Sequence, residues 1–174
     1  MKIIEAMKRI KSNKEKIADL QAKISLYCAN YSYETPTYGD DAKAKISEWL
    51  QACDDLSKDN AQLLVAIQRT NLATMVSVTL GDNTLAKSIA EWVWRRREYA
   101  ALDLATWQSL GDRGIKEGYT QNSTGDKITV TIVRHFDPVL RDRMVSMYKS
   151  EPHEIDAALE VVNAVTDLVE ADAF

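Results

Sequence analysis

Apolar residues recur in alternating steps of three and four along two long stretches of this chain. The first runs Ile3, Met7, Ile10, Lys14, Ile17, Gln21, Ile24, Cys28, the a/d spacing of a coiled-coil seam with polar interruptions at Lys14 and Gln21. The second runs Ile46, Trp49, Cys53, Leu56, Asn60, Leu63, Ile67, with Asn60 as an amide in the seam that specifies pairing at a cost in stability. Between them, Tyr31 to Asp40 holds Pro36 and Gly39, and Asp40 or Asp41 stands where a helix N-cap is needed. A short connection between two long helices implies antiparallel neighbours. The pattern therefore predicts a coiled-coil-like antiparallel helical hairpin over residues 1–72.

Beyond it the period changes. Thr74 to Leu80 alternates Val76, Val78 and Leu80 with Met75, Ser77 and Thr79, which reads as a strand. Gly81-Asp82-Asn83 turns the chain, and a third long helix is expected from Leu85 to Leu110, capped by Asn83 or Thr84. Its apolar stripe is Ile89, Trp92, Val93, Ala100, Leu104, Trp107 and Leu110. Gly111 to Asp126 reads as a loose, glycine-bearing loop. Lys127 to Val133 alternates Ile128, Val130 and Ile132 with Thr129 and Thr131, a second strand expected to pair with the first, within or between subunits. Asp137-Pro138 marks a helix start, Glu151-Pro152 an interruption, and Ile155, Leu159, Val162, Val165, Leu168 and Val169 a final amphipathic helix. The expected fold is mainly α: the hairpin, a third long helix, a small two-stranded β-ribbon and C-terminal helices. It is read as a single domain over 1–174, divided into 1–72, 73–134 and 135–174.

Composition changes the picture in one respect. At 174 residues and 45% hydrophobic the chain can bury one core, but thin hairpins bury little alone, which argues for homo-oligomerisation. A net charge of −4 gives no global attraction to nucleic acid or anionic lipid, so neither is the expected partner. The N-terminus is too charged for a signal peptide, and no stretch approaches the roughly 18 apolar residues of a membrane-spanning helix. A cytoplasmic or virion location is expected. Cys28 and Cys53 both fall on apolar stripes at unmatched levels of the hairpin and are expected as buried free thiols in a reducing compartment.

Candidate chemistry is sparse. His135 and His153 lack neighbours at metal-site spacing, and Asp54, Asp55, Asp59, Glu151, Glu154 and Asp156 read as solvated helix faces. No catalytic pair, metal site or cofactor motif is present in the pattern, so no enzyme is expected. Arg95-Arg96-Arg97, flanked by Trp92, Trp94 and Tyr99, is the candidate anion-binding run, although Glu91, Glu98 and Asp103 are within reach as ion-pair partners. Trp92 and Trp107 are expected core anchors. Trp94, with Val76, Val78, Ile128, Val130 and Ile132 of the strands, is the candidate oligomer or partner interface.

The segment Ala66-Ile67-Gln68-Arg69-Thr70-Asn71-Leu72-Ala73-Thr74, preceded by the charged amphipathic helix of Met1 to Leu20 and followed by Gly81, Thr84-Leu85 and a long arginine-containing helix, resembles the septicolysin-like family of small bacterial and phage proteins. By itself Arg69-Thr70-Asn71 reads as a helix end, with Arg69 opposing the negative terminus and Asn71 leaving in a left-handed conformation. The resemblance implies a helical protein of a phage particle or its assembly, with other virion proteins as further partners. It also implies, as an alternative, a cytolysin-like membrane-active protein. A nucleic-acid-binding module using Trp92 to Tyr99 is the third reading.

Overall fold

A computed structural model describes residues 1–169; residues 170–174 of the expected C-terminal region lie outside them. The chain is mainly helical, and its described residues divide into two compact units, the first made of Met1–Thr74 with residues 160–169, the second of Met75–Leu159. The first unit is built on α1 (Ile3–Tyr27) and α2 (Ala42–Ala73), with a 3-10 turn at Gly39–Asp41 before α2.

Ile3, Ala6, Ile10 and Asn13 are buried on α1, and Ile17, Leu20, Ile24 and Tyr27 continue the row half-buried. This corrects the expected stripe. The isoleucines one heptad apart are common to both readings, but their companions lie three residues on, not four: Met7, Lys14, Gln21 and Cys28 are exposed. Positions i+3 and i+4 share one helix face, so only the partner helix decides between them. Here Ala6 joins Ile10, Leu63 and Ile67 in a core that Leu168 packs against. The α2 stripe stands as expected, with Asn60, Leu63 and Ile67 buried and Ile46, Trp49, Cys53 and Leu56 half-buried. Cys28 is exposed because Tyr27 takes that turn of the row; Cys53 is half-buried, and both thiols are free.

A polar layer crosses the core. Asn13 Nδ2 donates to Asn60 Oδ1 at 3.0 Å and to Asp59 Oδ2 at 2.7 Å, while Arg9 grips the same carboxylate through Nε at 2.9 Å and Nη2 at 2.7 Å. At the other end of the pair, Tyr27, Tyr38 and Trp49 pack edge to face, with centroids 5.2 and 5.5 Å apart about Tyr38. The segment after Val165 returns to the start of α1: Ile3 N donates to Thr166 O at 3.0 Å, and Lys2 Nζ reaches Asp167 Oδ2 at 2.6 Å. Thr70 is the pin between this segment and α2. Its fully buried hydroxyl donates to Ala66 O at 2.8 Å and accepts from Val169 N at 2.9 Å. Asn71 does not leave the helix. It stays in α2, which ends at Ala73 with Thr74 extended, because the bonds of Thr70 hold the last turn in place.

In the second unit β1 (Met75–Leu80) pairs antiparallel with β2 (Asn83–Ser88), and β3 (Gly118–Gln121) with β4 (Lys127–Val130). The expected pairing of 75–80 with 127–133 is replaced by two local hairpins. Gly81, at φ 60°, supplies the first central residue of a two-residue turn, a connection that closes with far less chain entropy than a distant pairing. Residues 84–88 are consequently strand, and part of the expected loop 111–126 is strand β3. The long helix begins at Ile89 as α3 (Ile89–Trp94), widens into a π-helical turn at Arg95–Tyr99 and resumes as α4 (Ala100–Gln108).

Helix α5 (Pro138–Val165) passes through Pro152 without a break, against the expected interruption; its residues through Leu159 belong to the second unit and those from Glu160 to the first. The missing amide hydrogen at Pro152 costs one intrahelical bond. Burial of Glu151, Ile155 and Leu159 on the same helix outweighs it. Asp137 caps α5 as expected, its Oδ1 accepting from Val139 N at 2.8 Å.

Candidate functional site

The arginine run falls on the π-helical turn, and the structure separates its three members. Ser88 starts the element: its Oγ accepts from Glu91 N at 3.2 Å, while Ser88 N donates to Glu91 Oε2 at 2.8 Å, a capping box. This fixes α3 so that Trp92 is fully buried and its Nε1 donates to Val76 O at 2.9 Å. Val76, Val78 and Leu80 are buried beneath. Val76 and Val78 thus spend their area inside the unit and leave the candidate interface. Trp107 is half-buried, a lesser anchor than Trp92.

One turn after Trp92, Arg95 faces inward. Its Nε lies 2.6 Å from Glu151 Oε1, Nη2 lies 3.0 Å from Oε2, and Nη1 lies 2.7 Å from Asp103 Oδ2. The guanidinium also lies 5.6 Å from the Tyr148 ring centre. Glu151 is wholly buried, and this fork supplies its hydrogen-bond donors. The hydrogen bond to Glu151 holds the Arg95 guanidinium above its ordinary value, with Asp103 adding to it against the cost of burial. Arg96 bonds Asp156, through Nε at 2.6 Å and Nη2 at 2.8 Å. Arg97 is exposed and, among the described residues, has no ion-pair partner. The triplet therefore does not converge on an anion. Two of its members are committed to carboxylates of their own chain, and together they make a clamp rather than a phosphate cradle.

Glu151 and Asp156 are the residues that sequence reasoning missed, having read as a solvated face. Nothing in their local spacing reveals a partner more than fifty positions away. A cavity of about 260 Å³ opens beside the clamp, with Leu85, Lys87, Trp92 and Tyr148 in its lining. His135 lies apart, in the wall of a cavity of about 360 Å³ with Asp112 and Arg134, which form their own fork at 2.7 and 2.8 Å.

The other candidate interface residues remain on the surface. Trp94 and Ile128 are exposed, and Val130 and Ile132 are half-buried. Ile128 and Val130 sit in the β3–β4 ribbon, every residue of which is exposed or half-exposed.

The capping box carries a pH dependence. The Glu91 carboxyl is held below the usual carboxylate value, first by the Ser88 amide and then by its hydroxyl. A depressed folded value means the cap is fully effective above the unfolded carboxylate range, about 4.3, and is lost as pH falls through the lower folded value. Amide exchange in the first turn of α3 is expected to accelerate across that interval in the wild type and to be insensitive to pH there in Glu91→Gln, after correction for intrinsic rates. Comparison with family models, with curated proteins and with solved structures finds no match for this chain.

Proposed function

We propose that this chain is a non-enzymatic, self-assembling helical protein that builds or assists a phage particle. Its α1–α2 pair is read as an antiparallel, coiled-coil-like hairpin. In support, early residues of α1 meet late residues of α2 and late meet early, as Arg9 with Asp59 and Tyr27 with Trp49, and the buried row on α1 steps by three and four.

The observation that carries assembly is the β3–β4 ribbon. Two strands alone are marginal in water, yet among the described residues this ribbon leaves Ile128 exposed and Val130 only half-buried, with no fully buried position on either face. A partner surface supplies the cover that the unit lacks. The phage assignment rests on the resemblance of the sequence to the septicolysin-like family.

Size exclusion with light scattering over a hundredfold range of concentration tests the reading. A discrete multimer that survives dilution is expected, and it leaves lipid vesicles intact. A monomer at every concentration overturns the proposal. Vesicle leakage overturns it in favour of the lytic alternative.

A further inference from the structure

The helix from Ile89 to Gln108 carries one wide turn. At Arg95–Tyr99 the Ala100 N–H reaches back to the Arg95 carbonyl, a step of five residues. One residue is in effect inserted. A pair five apart across that turn falls where a pair four apart falls on a plain α-helix, about 40° rather than about 140° around the axis. Trp94 and Tyr99 are such a pair, and Leu102 follows three positions later. The π-turn thus gathers into one stripe three side chains that a regular helix would scatter over more than a third of its circumference.

All three are exposed, at 56%, 50% and 60%. The opposite side of the same helix holds buried Trp92 and Ala100, together with Arg95 turned to Glu151. The stripe is therefore the outward face of a rigidly anchored element.

We propose that this stripe is where a second copy of the chain docks, the two helices lying antiparallel across a twofold axis near Glu98. This rests on the self-assembly reading above and adds to the β3–β4 ribbon a second surface through which copies associate. Charge identifies the occupant. Arg97 and Glu98 stand side by side in this turn, both exposed, and neither is in an ion pair among the described residues. Arg95, Arg96 and Asp103, by contrast, are paired within the chain. An adjacent cation and carboxylate are self-complementary under a twofold axis: Arg97 of each copy meets Glu98 of the other. A partner of a single sign would satisfy one and repel the other. Trp94 and Tyr99 are residue types that anchor interfaces from within a ring of such polar contacts.

Sedimentation equilibrium of the full chain tests the assignment. The pair Trp94→Ala with Leu102→Ala is expected to raise the dissociation constant about 30-fold, the equivalent of losing hot-spot contacts. Arg97→Glu and Glu98→Arg are each expected to weaken association about 10-fold through repulsion across the axis. Combining the two reversals is expected to restore it to within about threefold, a rescue that loss of local structure does not produce. Wild-type association in the double-alanine variant, or charge reversals that weaken without rescue, overturns this surface while leaving self-assembly standing. A monomeric wild type removes both.

Discussion

Glu151→Ala is expected to lower the unfolding free energy of the second unit by about 3 kcal/mol, the low end for breaking a buried ion pair. Glu151 is fully buried and receives two hydrogen bonds from Arg95. Its removal leaves the guanidinium in the low-dielectric side of the helix with Asp103 as its remaining carboxylate, which is why the loss stays at that end. Denaturation by urea measures the loss, and amide exchange locates it. The Ala100 amide, bonded to Arg95 O across the wide turn, is expected to lose protection before the rest of the unit. Replacing both partners, Arg95→Met with Glu151→Leu, is expected to recover most of the stability, since a matched apolar pair avoids the desolvation of two charges. If Glu151→Ala melts with the wild type, the clamp contributes nothing to the fold and the π-turn is held by other contacts.

Trp92→Ala is expected to cost more, about 4 kcal/mol, because the deletion removes a large, fully buried aromatic and leaves a cavity. Trp92→Phe divides that figure. It keeps most of the packing but leaves the Val76 carbonyl without its indole donor, an expected loss of about 1–2 kcal/mol. The difference between the two variants measures packing of the ring against the unit holding Val78, Leu80 and Ile89, all buried. Trp92 and Arg95 lie one turn apart, so the combined variants are expected to be non-additive. A Phe variant as costly as the alanine one would show that the single hydrogen bond, rather than area, fixes the first strand on the helix.

What this sequence determines by itself is the kind of element in most places and its apolar residues. The alternation Val76, Val78, Leu80 makes a half-buried strand wherever it pairs, and the α2 row from Ile46 to Ile67 fits only a long helix with one wet side. Those are local consequences of period, and they hold without a partner. The same is true of Asp137-Pro138, whose cap and restricted backbone angle act within one turn.

The tertiary structure decided which of several locally equivalent choices was taken. On α1 the partner helix selected Ala6 and Asn13 over Met7 and Lys14, because both sets share a face and only the contacts with α2 distinguish them, Leu63 and Ile67 in the core with Ala6 and the bonds of Asn13 to Asp59 and Asn60. Strand partners were settled by turn geometry, with Gly81 making the near pairing cheaper than the distant one. Pro152 continues a helix that local rules would end, since Glu151 and Ile155 on either side of it are buried by tertiary contacts. The arginine run is the sharpest case: three like charges look like one site in sequence. Two are instead neutralised by carboxylates more than fifty positions away, and a single inserted residue of helix turns the aromatic neighbours of the third into a common outward face.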